Sequence, residues 1–298
     1  MHEHHHHPQD SNNLKIAFFL NLGFTILELV GGFWVNSVAI LSDAIHDLGD
    51  SLSLGLAWGL QEKSKQKAND SFSFGYGRFS LLGALINAMV LIIGSVFIVN
   101  EAIQRLITPE VSDAKGMIFF AIFGVIVNGY AAWKVGHGHS QNEKVISWHL
   151  IEDVLGWVAV LIGGILLLFF DWPWIDPALS LGITLFILWN VLKNLKETLY
   201  IFLQAVPSDI SLDQIKKELC ALPIVESIHH THLWSMEGAH HVFTAHVRLK
   251  QVQNLKELLE SKKQVQETLK KYPLSHYTIE WELSEENCAL EQKENPFR

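Results

Sequence analysis

Two short stretches carry the chemistry of this chain. Ser42-Asp43-Ala44-Ile45-His46-Asp47-Leu48-Gly49-Asp50 and Trp148-His149-Leu150-Ile151-Glu152-Asp153 both contain His-x-x-x-Asp, and both lie inside long apolar runs. Residues i and i+4 share one helix face, so His46 aligns with Asp50 and His149 with Asp153. Two such helices face to face would point two imidazoles and two carboxylates at one spot, a four-donor N/O set of the kind zinc favours. Helix-to-helix hydrogen bonds can satisfy polar groups of this type. An ionisable side chain at membrane depth is nevertheless costly, and two matching pairs are hard to account for as packing. Asp47 and Glu152 are alternatives to the Asp of each pattern, Glu152 being i+3 from His149. Asp43, three residues before His46, reads as a carboxylate that orients a ligand or stands at the entrance.

The elements that must hold these residues follow from composition. The chain has 298 residues, 18% of them charged, with ten Trp and seventeen Phe, and its mean hydropathy is +0.21. That balance describes a membrane protein with a soluble part. A net charge of -9 offers no basic surface for nucleic acid. Cys220 and Cys288 form no disulfide framework and no paired thiol motif, which fits a reducing cytoplasm. Six apolar stretches, near 14–35, 37–60, 80–104, 115–135, 145–170 and 177–203, are each long enough to cross a hydrocarbon core of about 30 Å. Asn21 and Glu28 in the first, Asn87 in the third, Asn128 in the fourth and Asn190 in the sixth mark inward faces. Asn21 and Glu28 are accordingly expected around the pathway, Glu28 chiefly as a helix-packing hydrogen bond.

Lys15, Lys63, Lys65, Lys67, Arg78, Lys134, Lys144, Lys193 and Lys196 fall at one side of the spans, and only Arg105 and Lys115 at the other. Nine against two puts both termini in the cytoplasm. Short loops and a compact tail fit a bacterial inner membrane. The opening Met1-His2-Glu3-His4-His5-His6-His7-Pro8 lacks the basic n-region of a signal peptide. It reads either as a cloning remnant or as a metal-collecting tail. The expected organisation is a His-rich tail over 1–13, a six-helix membrane domain over 14–204, a soluble domain over 205–284 and a flexible tail over 285–298.

In the soluble domain, a helix before Pro223 leads to a strand-like run from Ile224 to Trp234. A second strand follows from His240 to Leu249, then an amphipathic helix over 254–271 and a third strand from His276 to Leu283. Helix, strand, strand, helix, strand makes a small α+β sandwich. Period two puts Phe243, Ala245, Val247, Tyr277, Ile279 and Trp281 inward, and leaves His240, His246, Glu280 and Glu282 on the open face. The same period splits His229, His230 and His232 between faces. Metal binding is expected in this His-rich sheet, provided the fold brings the ligands together.

Taken together these residues resemble the cation diffusion facilitator family of metal transporters, from about Lys15 to Leu283. The resemblance is carried by Asn21 through Glu28 to Gly31-Gly32, by Asn36-Ser37-Val38-Ala39 running into Ser42-Asp43-Ala44-x-His46-x-x-x-Asp50, and by Phe74-Gly75-Tyr76-Gly77-Arg78. His149-x-x-x-Asp153, Asp176-Pro177 and Ile228-His229-His230-Thr231-His232-Leu233-Trp234 complete it. The resemblance implies a homodimer in the lipid bilayer, six transmembrane helices per subunit and a ferredoxin-like cytoplasmic domain. It implies export of a divalent cation against proton entry, with His46, Asp50, His149 and Asp153 as the transport site. His in both pairs resembles the zinc-preferring members, with Co²⁺ or Cd²⁺ as alternatives. The match further implies regulatory metal at His229, His246 and Glu282, with His232 nearby. The loop 69–76 lacks the His of some members' additional site, and the helix over 254–271 has no His for a second cytoplasmic metal.

Imidazole titrates near pH 6.5 when unperturbed and must be neutral to bind metal. Zinc and protons therefore compete for such a site, and exchange across the membrane follows if it opens to one side at a time. An intramembrane metal-dependent hydrolase is the rival class. It would need an open coordination position and a general base, and no His-Glu-x-x-His pattern occurs.

Overall fold

The computed structural model describes residues 8–64, 66, 68–136, 141–170, 172–252, 254–284, 286 and 288. The His run at the start, His137 and His139, and the tail beyond 288 lie outside the described residues. So does the side chain of His149, although its helix is described. Contacts divide the chain into two compact units: residues up to 68 together with 82–196, and residues 69–81 together with 197 onward.

Six helices account for most of the first unit: α1 (Pro8–Trp34), α2 (Val38–Ser64), α3 (Phe79–Ile107), α4 (Ala114–Gly136), α5 (Gln141–Phe170) and α6 (Ile175–Phe202). Among the described residues, four segments, Phe79–Ile107, Ala114–Trp133, Ile151–Phe170 and Ile175–Phe202, are long and apolar enough to cross a membrane, and Phe18–Trp34 adds a shorter apolar stretch of α1. α2 is the exception for a chemical reason: Asp43, Asp47 and Asp50 dilute its apolar character. Its serines and carboxylates nevertheless turn inward, since Ser42, Asp43, Asp47 and Ser51 are all buried. The outer faces carry the large apolar side chains, among them Phe33, Phe97, Phe169 and Trp189. Polar inside and apolar outside is the arrangement of a protein whose solvent is lipid.

Side-chain hydrogen bonds tie these helices together. Asn21 of α1 donates to the Asp47 carbonyl at 3.1 Å and to Ser51 Oγ at 3.0 Å. Asn21 is thus a clasp between α1 and α2. Ser42 and Thr184 join α2 to α6 at 2.7 Å. Between α4 and α5, Trp157 lies flat against Gly124: a Cβ there would come within 2.2 Å of the indole. A Gly124→Val protein is therefore expected to be less stable by about 1–3 kcal/mol, the usual cost of overpacking a filled core. A lowered melting temperature in detergent checks this; an unchanged one would mean that the helices yield freely.

The end of α1 is closed by a longer-range device. Asn36 turns the chain with φ 54°, and Ser37 begins α2. The first N–H groups of a helix have no partner within it. Here Asp176, in the first turn of α6 and fully buried, supplies the acceptors. It receives the N–H of Val38 at 2.8 Å and of Ala39 at 3.2 Å, together with the hydroxyls of Ser37 at 2.5 Å and Ser112 at 3.2 Å. Arg105 holds the same turn, donating to the Asn36 carbonyl at 2.8 Å and to its side chain at 2.7 Å. α2, the helix of the first His-x-x-x-Asp, is thus fixed at its N-terminus by residues from three other parts of the chain.

In the second unit α7 (Leu212–Cys220), β1 (Val225–Ser235), β2 (His241–Leu249), α8 (Leu255–Leu269) and β3 (Leu274–Glu282) follow in the expected order. Ser211 and Asn254 cap the two helices, each accepting a backbone N–H three residues on. The sheet order is β1-β2-β3, with β1 antiparallel to β2 and β2 parallel to β3. A parallel pair needs a long crossover, which α8 provides. Phe243, Ala245, Val247 and Leu249 pack under α7 and α8, with Tyr277, Ile279 and Trp281 against them. That leaves the other face for His246 and Glu282.

Candidate metal centre

α2 and α5 bring the first group together. His46 Nε2 lies 3.9 Å from Asp50 Oδ2, one turn along its own helix, and 3.8 Å from Asp153 Oδ1 on α5. Donors around a tetrahedral zinc with N and O ligands sit about 3.3–3.6 Å apart, so His46 Nε2 is a few tenths of an ångström beyond that spacing from each carboxylate. Asp153 is largely buried, while His46 and Asp50 are about one quarter exposed. They face a cavity of about 750 Å³ whose walls also include Asp43, Asn87, Glu152 and Asn190. Asp43 is thus at the cavity wall, as a vestibule carboxylate would be. Glu28 is buried, lining an aromatic pocket with Phe24, Phe120 and Trp157 while standing within interaction range of Asp47, Asp43 and Asp153.

The second group is in the sheet. His229 of β1 stands directly opposite His246 of β2. His229 Nε2 is 3.0 Å and His246 Nδ1 2.9 Å from the same oxygen of Glu282, Oε1. Arg248 holds the other oxygen at 3.2 Å. Burial would raise the Glu282 carboxyl, but the hydrogen bonds with His246, Cys288 and His229 outweigh it and hold it down at about 2. Cys288 is buried, and its Sγ is 3.5 Å from His246 Nδ1. One donor atom from each of His229, His246, Glu282 and Cys288 lies within 4.8 Å of every other.

Two features of this group escape a period-two reading. The register slips between His229 and His232, and His230 adopts φ 46°. This bulge turns His230 to the side of His229 and His246, with ring centroids 5.2 and 5.0 Å away. Strict alternation would have parted His229 from His230. His232, expected nearby, is exposed opposite Thr244 and does not join the four-residue group. Cys288 is the residue that sequence reasoning missed. The available signal was a thiol six residues beyond Glu282, but only a turn in the chain brings it back.

Lipid-facing helices around a polar, carboxylate- and imidazole-lined cavity, joined to a small α+β domain, define an integral membrane protein built to carry cations. The chain belongs to the cation efflux family: the model of the cation efflux transmembrane domain matches residues 14–203 and that of the cation efflux protein cytoplasmic domain residues 207–283. It is 32% identical over 289 residues to a cadmium, cobalt and zinc/H(+)-K(+) antiporter of Bacillus subtilis, covering 95% of this chain and 93% of the relative. It is 34% identical over 286 residues to the metal cation efflux system protein CzcD of Cupriavidus metallidurans, with 95% and 90% covered. The zinc transporter ZitB of Escherichia coli is 32% identical over 281 residues, with 92% and 87% covered. The protein is a cation efflux transporter, and the hydrolase alternative falls away with the family.

Proposed function

We propose that this protein exports zinc from the cytoplasm in exchange for protons, and that His46, Asp50, His149 and Asp153 form the transport site. The observation that carries this reading is the position of His46 Nε2 between two carboxylates from different helices at the wall of a cavity. Two carboxylates and two neutral imidazoles around Zn²⁺ make a loaded site of no net charge, which lowers the cost of holding the ion in low dielectric. The imidazoles exchange a metal for protons because the two compete for the same nitrogen lone pairs. Oxygen-seeking Mg²⁺ and Ca²⁺ do not suit such a set. Cobalt and cadmium are the second reading, favoured by the similarity to the cadmium, cobalt and zinc antiporter of Bacillus subtilis. Zinc uptake by proteoliposomes under a pH gradient, with cobalt, cadmium, manganese and iron as competitors, tests it. Zinc flux without proton movement would refute the exchange.

The protein is further read as a homodimer, placed in a bacterial inner membrane with both termini cytoplasmic. The excess of Lys and Arg on one side of the spans supports that orientation. Regulatory metal is assigned to His229, His246 and Glu282. Two imidazoles that converge on one carboxylate oxygen, at 3.0 and 2.9 Å, support this assignment. Asn21 serves packing, Asp43 the vestibule, and Glu28, beside the carboxylates of α2, packs the helices along the pathway. Glu282→Ala in the full-length protein is expected to lower bound zinc by about one ion per protomer, with the fold unchanged. Unaltered stoichiometry in metal analysis would remove the cytoplasmic assignment.

A further inference from the structure

We propose that Cys288 is the fourth ligand of the cytoplasmic cluster, making it a His2-Glu-Cys site for a thiophilic divalent cation, complete within one protomer. This rests on the reading of His229, His246 and Glu282 as metal-binding. The segment after β3 is built to return the thiol. Leu283 and Glu286 close a turn on each other, the N–H of Leu283 donating to Glu286 Oε2 at 2.8 Å and the N–H of Glu286 to the Leu283 carbonyl at 2.9 Å. Arg248 clamps both sides of that turn, reaching Glu282 Oε2 at 3.2 Å and the Glu286 carbonyl at 3.3 Å. Cys288 is delivered to the open sheet face only 1% exposed.

The donor spacings fit the group they would hold. A tetrahedral shell with N, O and S ligands has edges of about 3.3–3.8 Å. The measured separations are 2.9 Å, 3.0 Å and 3.5 Å for the hydrogen-bonded pairs, and 4.8 Å is the upper limit for any pair. Contraction of the widest pairs by about 1 Å reaches that shell. Sulfur changes what the site prefers. A thiolate selects zinc and cadmium over harder ions, whereas His46, Asp50 and Asp153 offer only N and O. The two centres therefore differ in selectivity, the sheet site being the softer. The ion would also fasten the segment that carries Cys288 to β1 and β2.

Cobalt is the probe, because a thiolate ligand gives it a charge-transfer band in the near ultraviolet that N and O ligands do not. The full-length protein in detergent, loaded with Co²⁺, is expected to show this band. Cys288→Ser should abolish it while cobalt stays bound, and Cys220→Ser, at an exposed position, should leave it intact. Cys288→Ser should also weaken cadmium binding at this site by ~10-fold or more, since it removes the only soft ligand. Cobalt bound at His229 and His246 without the band, or with the band persisting in Cys288→Ser, overturns the proposal and leaves the three-residue site standing. If His229→Ala/His246→Ala binds as much cobalt as the unaltered protein, the cluster is no metal site and the proposal falls with it.

Discussion

Asp50→Ala is expected to abolish pH-driven zinc uptake into proteoliposomes, and Asp153→Ala to do the same. Both carboxylates stand under 4 Å from the same imidazole nitrogen, on different helices. Each supplies one of the two negative charges that balance the ion. Removing one partner of a buried charge pair costs about 3–5 kcal/mol, and each 1.4 kcal/mol is roughly tenfold in binding. Loss of transport by ~100-fold or more follows; because Asp153 also pairs with His46 between α5 and α2, thermal unfolding in detergent is read alongside, and the loss of transport should exceed any loss of folded protein. Transport at the normal rate by either variant would remove that residue from the site.

The second large effect is structural. Asp176→Ala is expected to lower stability by about 3 kcal/mol or more, since buried N–H and hydroxyl donors left without an acceptor cost about 1–3 kcal/mol each. The orphaned donors are the N–H groups of Val38 and Ala39 and the hydroxyl of Ser37, while Ser112 keeps the Asn36 carbonyl at 2.9 Å as its acceptor. Asp176→Asn keeps one oxygen but presents an N–H2 to the remaining donors, so it should fall between. Thermal unfolding in detergent reads both. Because the cap anchors the helix that carries His46 and Asp50, the Ala variant should also transport poorly, with its unfolding as the cause. A melting curve equal to that of the unaltered protein would contradict the capping account.

The membrane helices were legible because lipid demands long apolar runs, and the observed ends fall within a few residues of the expected ones for most spans. α2 is instructive. Its acids hide it from a hydropathy criterion, yet the i, i+4 spacing of His46 and Asp50 identifies it as a helix with one chemical face. The sheet core was legible from alternation, since Phe243, Ala245 and Val247 must all face the same way. What stayed hidden depends on contacts between distant positions. Nothing near Asp176 in the chain announces that it caps a helix 138 residues earlier. The bulge at His230 breaks the alternation on which strand reading relies. The parallel pairing of β2 with β3 is set by the crossover of α8 rather than by either strand's own pattern. Cys288 reaches the sheet only through the turn at Leu283–Glu286, and a lone thiol carries no spacing by which to recognise it.

Anomalous scattering at the zinc absorption edge, on crystals of a Glu282→Ala protein so that the sheet cluster is silenced, goes most directly to the transport site. The predicted result is a zinc peak between α2 and α5, within about 2.0–2.2 Å of His46 Nε2 and of an oxygen from each of Asp50 and Asp153, with His149 as the fourth donor. A zinc ion bound in the membrane domain away from these residues, with their side chains turned apart, would contradict the account.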